Sequence, residues 1–127
     1  MANGTYDVIV IGAGSVGVPA ACFIAQSGLR VLVVDRGASV GQGANKAAIG
    51  GVRATHSDTA KIRIGLESIE ILSTWKEKHG DNIEWQTGGY SFVAYDEREE
   101  SILRSLLTVQ HRYGLDIDWL DREALLE

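Results

Sequence analysis

The amino-acid sequence predicts an α/β fold that begins with a Rossmann-like βαβ unit. Three features of residues 6–35 support this: two hydrophobic runs, the glycines Gly12, Gly14 and Gly17 between them, and Asp35 directly after the second run. The glycines follow a predicted strand and open a predicted helix within one unit of about 30 residues. This order makes the pattern more specific than the spacing of the glycines alone.

Each position in the pattern has a chemical reason. Gly12 permits a tight turn, Gly14 lets the backbone approach a pyrophosphate, and Gly17 lets the helix pack closely on the strand. The pyrophosphate would lie at the start of the helix near Ser15, where free N–H groups and the helix dipole favour an anion. Asp35 would accept hydrogen bonds from a ribose diol. The sequence therefore predicts a dinucleotide site.

Composition limits the class of protein. The chain has 127 residues, of which 45% are hydrophobic, which is enough for one domain with a core. Its net charge of -5 gives no electrostatic support for a nucleic-acid or anionic-membrane partner. Residues 8–34 carry only one charge, Arg30, but glycines and a proline interrupt them, so we predict no membrane span.

The cysteine content suggests where the protein resides. Cys22 is the single cysteine, so no internal disulfide can form. We expect it to be a small buried thiol of the first helix and not a redox or metal-binding group. A chain without disulfides fits a reducing compartment, and we predict a cytoplasmic protein. No cluster of metal ligands is visible in the sequence.

Helix and strand signals continue after Asp35. A glycine-rich stretch at 36–53 lacks periodicity and is long for a connection in a compact domain, so we expect a functional loop. The next signals are a helix capped by Ser57 or Asp58 and ending at Gly80, a helix from Asp96 to Gly114 with Glu99 in a capping box, strands at 84–86, 89–95 and 117–120, and a helix that starts at Asp121.

These elements do not complete a doubly wound sheet. We divide the chain into a dinucleotide-binding βαβ unit with a cofactor loop at 1–58, and helices and short strands of a substrate-domain annex at 59–127. The three-layer arrangement around the parallel sheet would be incomplete, with the chain ending inside a helix. We therefore expect either a missing C-terminal part or a partner subunit that supplies the remaining strands.

Three segments together resemble a known family. VIVIGAGSVGVPAACFIAQSGLRVLVVDR, GQGANKAAIGGVRATHSD and WQTGGYSFVA are similar to the N-terminal portion of the D-amino-acid oxidase-like (DAO family) FAD-dependent oxidoreductases. The similarity is strongest to the branch of sarcosine oxidase and the dye-linked proline dehydrogenase β subunit. It covers essentially the whole chain, which would correspond to about the first third of a full-length member.

The resemblance implies a set of site residues. Asp35 would bind the adenosine ribose, where relatives often have glutamate, and Arg36 would border the adenine half of FAD. Arg53 would grip a substrate carboxylate, as an arginine does in sarcosine-oxidising relatives; a surface arginine with local hydrogen bonds is the alternative. The remaining implied FAD contacts are Gly12, Gly14, Ser15, Val16 and Gly17 at the pyrophosphate, Gly43, Ala44, Asn45 and Lys46 beside the pyrophosphate and ribityl chain, and Gly50 and Gly51 near the isoalloxazine.

The resemblance implies an FAD-dependent oxidoreductase that oxidises the C–N bond of a small amino acid or N-methyl amino acid to an imine. The 127 residues alone are expected to be inactive. Two alternatives remain open at this point. The βαβ pattern would also serve an NAD-dependent dehydrogenase, although the long loop after Asp35 argues against it, and the chain could be a non-catalytic nucleotide-binding subunit that requires a partner.

Overall fold

The computed structural model describes residues 4–125. They form two compact units, one ending at Gly51 and the other starting at Val52. The first unit contains strand β1 (Val8–Ile11), helix α1 (Gly17–Gln26), strand β2 (Val31–Val34) and a single 3-10 turn (Ala44–Ala47), and the second contains helices α2 (Thr59–Ser73), α3 (Trp75–His79) and α4 (Glu97–Arg112).

The sheet of the first unit is parallel, as the βαβ pattern predicts. β1 pairs with β2 in a register that runs from Val8 opposite Val31 to Ile11 opposite Val34. Successive side chains of β1 alternate in burial, and the side chains of Ile9 and Ile11 are 59% and 87% exposed. One helix layer and one sheet layer are thus present in this unit, which confirms the α/β class and an incomplete Rossmann-like arrangement.

Helix α1 packs through a narrow apolar stripe. Ala21 is buried, while Cys22, the next residue, is exposed. The prediction of a buried thiol was therefore wrong, because position 22 lies outside the packed stripe. Pro19 is the third residue of α1 and has no N–H to donate, but the bonds on either side, from Val18 to Gly14 and from Ala20 to Val16, are both retained at 3.1 Å.

The helix that the sequence predicts between Asp58 and Gly80 is present but divided. The Asp58 carboxylate accepts a hydrogen bond from the Lys61 N–H at 3.0 Å and caps α2. Thr74 separates α2 from α3, and its hydroxyl donates to the Glu70 carbonyl at 2.7 Å. Gly80 ends α3 with a φ of 78°, the left-handed conformation that its position predicts.

Helix α4 confirms the capping prediction. The Asp96 carboxylate accepts from the Glu99 N–H at 2.8 Å, and the Glu99 carboxylate accepts from the Tyr95 N–H, also at 2.8 Å. Both acids therefore satisfy free amides at the helix start. The buried side chain of Gln110 donates to the carbonyl of His56 at 3.3 Å, which fastens α4 to the segment before α2.

The later strands do not form in the part of the chain that the structure describes. Residues 84–86, 89–95 and 117–120 carry no ladder there. A strand needs a neighbouring strand for its backbone hydrogen bonds, and the local composition of a segment does not supply one. Asp121 begins a helical turn, with its carboxylate accepting from the Ala124 N–H at 3.0 Å; Leu126 and Glu127, the end of that predicted helix, lie outside the described residues.

Among residues 4–125, no helix has the length and apolar character required to cross a membrane.

Candidate functional site

The glycine turn between β1 and α1 is shaped by backbone contacts. Gly12 has a φ of 108°, which L side chains rarely adopt, and its N–H donates to the Val34 carbonyl at 2.8 Å. A Cβ at Gly17 would collide with the carbonyl oxygen of Gly12 and would lie 3.4 Å from the Val10 side chain. Both glycines are therefore needed for the turn itself, as the sequence predicts.

Ala13, which the sequence pattern does not mark, holds three segments together. Its N–H donates to the Asp35 carboxylate at 2.6 Å, and its carbonyl accepts from the Gly41 N–H at 2.9 Å. Ala13 is only 4% exposed. Through these two bonds the turn fixes both the acid at the end of β2 and the start of the following loop.

The Asp35 carboxylate is used by the protein itself. One oxygen accepts from Ala13 and the other from the Gly37 N–H, also at 2.6 Å. These two backbone hydrogen bonds, Ala13 first, lower the pKa of Asp35, and the positive charge of Arg36 adds to the effect. A carboxylate has about four acceptor positions, so ribose hydroxyls can still bind.

Asp35 should make the stability of the protein depend on pH. Because its folded-state pKa is lowered, its contribution is present above the unfolded value of about 4 and is lost as the pH falls through the folded value. Asp35→Asn should lower the midpoint of urea unfolding at pH 7 and flatten the loss of stability below about pH 4. Urea unfolding followed by circular dichroism at both pH values measures this, with the exposed Asp116→Asn as control. An unchanged acid limb in Asp35→Asn would contradict the assignment.

Asn45 lies against the start of helix α1. It belongs to the 3-10 turn, and its side-chain oxygen accepts a hydrogen bond from the Ser15 N–H at 3.0 Å. A Cβ added to Gly14 would meet the same oxygen at 3.2 Å and nothing closer. The loop that the sequence singles out is therefore in contact with the glycine turn.

The start of α1 fits an anionic group. Within residues 4–125, the N–H groups of Gly14, Val16 and Gly17 donate to no protein acceptor, and α1 has no acidic side chain in its first turn. Free amides at the positive end of a helix, next to a glycine that leaves room for close approach, suit a pyrophosphate. The structure thus brings these residues together with Asp35 and Asn45 in one unit.

The other predicted FAD contacts make fewer interactions with the rest of the protein. Their side chains or backbones are exposed, and Gly50 has a φ of 79°, so a side chain there would strain the backbone. Lys46 and Ala44 belong to the 3-10 turn with Asn45. No side-chain hydrogen bond within residues 4–125 involves the following members of the set: Arg36, Gly43, Ala44, Lys46, Gly50 and Gly51.

Arg53 belongs to the second unit and lies beside two aromatic rings. Its guanidinium carbon is 5.8 Å from the ring centroid of Tyr90 and 5.5 Å from that of Phe92. Among the described residues the guanidinium has no acidic partner and no hydrogen bond. The prediction of a surface arginine with local hydrogen bonds therefore has no contact to support it.

The backbone of Arg53 is seated on helix α2. A Cβ added to Gly65 would lie 2.7 Å from the Arg53 carbonyl oxygen and 2.8 Å from the Cα of Ala54, closer than real Cβ atoms come to other atoms. Gly65 and Ala54 are both buried. The absence of a side chain at Gly65 thus allows the backbone of Arg53 to lie close against α2.

Comparison with known proteins identifies the family. The model of the FAD-dependent oxidoreductase family named DAO matches residues 7–127. The chain belongs to the DAO family. A cytochrome-type fumarate reductase of Shewanella frigidimarina is 34% identical over 79 residues, which are 62% of this chain and 14% of that protein.

Two solved structures resemble this DAO-family chain. L-proline dehydrogenase from P. horikoshii superposes with a TM-score of 0.77 at 28% identity, over 87% of this chain and 29% of that one. L-amino acid deaminase from Proteus vulgaris gives a TM-score of 0.76 at 22% identity, over 91% and 27%. The second comparison supports the fold alone. The chain spans less than a third of each structure.

Membership of the DAO family makes FAD the cofactor, since the family is FAD dependent. The residues present fit it: free amides at the start of α1, a position without a side chain at Gly14, and a hydrogen-bonded carboxylate at the end of β2. The family assignment therefore favours FAD over NAD as the dinucleotide at the glycine turn.

Sequence reasoning missed four residues of these sites. Ala13 acts through its backbone, and Gly65 acts through a missing side chain, so neither has a chemical signature in the sequence. The aromatic residues of 89–95 were noted only as strand formers. Tyr90 and Phe92 occupy alternate positions of that segment, which is the one signal that could have placed them on the same side of it.

Proposed function

We propose that the full protein oxidises the C–N bond of a small amino acid or N-methyl amino acid to an imine, which water then hydrolyses. The substrate loses a hydride from the carbon next to nitrogen and a proton from the nitrogen. FAD, when bound, accepts the hydride. The similarity to L-proline dehydrogenase at 28% identity supports a substrate of this class.

The free guanidinium of Arg53 carries the proposal. A guanidinium without an acidic partner is available to an incoming anion, and its planar fork matches a carboxylate in two parallel hydrogen bonds. In this reading Arg53 binds the substrate carboxylate, while the chemistry belongs to the cofactor.

Residues of the first unit hold the cofactor in this proposal. The pyrophosphate is bound at the glycine turn, by Gly12, Gly14, Ser15, Val16 and Gly17. Asp35 binds the adenosine ribose with its remaining acceptor positions. Arg36 borders the adenine. Along the loop, Asn45 and its neighbours pass beside the pyrophosphate and ribityl chain, and Gly50 and Gly51 run beside the isoalloxazine.

We propose the activity for the full protein and not for these 127 residues in isolation. The chain spans 29% of the length of L-proline dehydrogenase, so most of a comparable substrate cavity would have to come from further chain or from a partner subunit. If the chain were instead a subunit that only binds nucleotide, it would show no amine oxidation, even in complex with a partner chain that co-purifies with it.

Arg53→Met in the full protein should raise the KM for L-proline or N-methylglycine about a hundredfold, and Arg53→Lys about tenfold. The lysine keeps the charge but loses the planar fork. Flavin content and kcat should stay near native, because the anchor binds the substrate without holding FAD. Initial rates at varied substrate concentration measure these effects.

Pyrrolidine and dimethylamine are the matched controls, since they lack only the carboxylate of these two substrates. Their KM should be nearly unaffected by either substitution at Arg53. Arg63→Met, which removes an exposed arginine of α2, controls for loss of charge. Native KM values for both amino acids in Arg53→Met, or no oxidation of any amino acid by the full protein, would refute the proposal.

A further inference from the structure

The segment after Gly89 presents two aromatic rings to Arg53. Tyr90 and Phe92 are two residues apart in the chain, and both rings lie near the same guanidinium. Both ring centroids lie within 6 Å of the guanidinium carbon, at 5.8 and 5.5 Å. These distances are in the range at which a cation is attracted to the face of a ring.

This contact leaves the hydrogen-bonding capacity of the arginine unused. Arg53 donates to no acceptor and pairs with no acid within residues 4–125, so its five N–H donors remain available. An aromatic ring attracts the positive charge without occupying an N–H donor in a conventional hydrogen bond. The rings can therefore hold the guanidinium in place while its fork stays open to a ligand.

We propose that Tyr90 and Phe92 are positioning residues for carboxylate recognition by Arg53, an inference that rests on the proposed function. The arginine is then fixed at two points. Its backbone is seated on α2 at Gly65, and its head group is held by the two rings. A long side chain that is ordered before the ligand arrives loses less entropy on binding, which strengthens binding of the carboxylate.

The two rings are not simply parts of a core. Tyr90 is 48% exposed and Phe92 is 44% exposed, so burial alone does not account for the aromatic type at either position. Leucine would supply comparable apolar bulk without a π-face. A structural role would therefore tolerate leucine, whereas a role in holding a cation would not.

The test uses the full protein loaded with FAD and acetate as the probe, a carboxylate that cannot be oxidised. Acetate affinity is read from the change in flavin absorbance. Tyr90→Leu and Phe92→Leu should each weaken acetate binding about two- to fivefold, and the double variant more. Tyr90→Phe and Phe92→Tyr keep a ring and should restore near-native affinity. The matched control is Tyr95→Leu, which removes an exposed ring of the same segment.

Further measurements separate positioning from general damage. In an Arg53→Met background, the leucine substitutions should have no additional effect on acetate affinity, because there is no guanidinium left to hold. Flavin content and the KM for pyrrolidine should stay native in every leucine variant. Native acetate affinity in the double leucine variant, with a large loss in Arg53→Met, would overturn this inference and leave the proposed function standing. Native affinity in Arg53→Met as well would overturn both.

Discussion

Gly17→Ala should destabilise the first unit by about 3 kcal/mol and abolish FAD binding. The added methyl group would collide with the backbone carbonyl of Gly12, which cannot move without disrupting the turn. The same turn contains Ala13, whose N–H donates to the Asp35 carboxylate. Alanine is otherwise the better helix former, so a loss of stability would come from the collision and not from helix propensity.

Urea unfolding followed by circular dichroism, with flavin absorbance of the purified protein, measures both effects. Gly88→Ala is the matched control, because a Cβ there meets no atom within 4 Å and its φ is not positive. Native stability and flavin content in Gly17→Ala would show that α1 can move away from the turn without loss of stability or of FAD binding.

Gly14→Val should weaken the affinity for FAD about a hundredfold or more while the chain stays folded. In the structure a Cβ at this position meets the Asn45 side-chain oxygen at 3.2 Å, so that side chain has to shift by a few tenths of an ångström while no backbone atom is displaced. The valine side chain would instead fill the space that a pyrophosphate needs at the start of α1.

The two glycine variants therefore lose different properties. Gly14→Val should retain the far-ultraviolet spectrum and unfolding midpoint of the native protein, whereas Gly17→Ala should lose both. Fluorescence titration of the cofactor-free protein with FAD gives the affinity. Wild-type flavin content in Gly14→Val would argue against placing the pyrophosphate at this turn.

Local signals in the sequence predicted the helix boundaries well. Asp58 and Asp96 cap helices through bonds that span three residues, and Gly80 needs only its own backbone freedom. Each of these features depends on residues within one helical turn, so the local sequence is sufficient to predict it. The β1 and β2 strands were predictable for a related reason, since the helix between them dictates their parallel pairing.

Features that depend on distant residues were not predictable in the same way. The segment at 89–95 has strand composition, but no neighbouring strand is present among residues 4–125 to complete a ladder. The bond from Ala13 to Asp35 joins residues 22 positions apart, and it depends on the backbone path of the turn. The contacts of Arg53 with Tyr90 and Phe92 likewise join parts of the chain that no short motif connects.

The seat of Arg53 on α2 has a consequence for mutational scanning. Gly65 touches the arginine only through backbone atoms and offers no group to a substrate, so an inspection of reactive side chains would pass over it. Any larger residue there must push the Arg53 segment outward and misplace its guanidinium. Under the proposed function, variants of Gly65 should therefore cluster with those of Arg53 in a scan scored by growth on an amino acid. A helix position without a side chain would then be selected together with the arginine whose backbone packs on it.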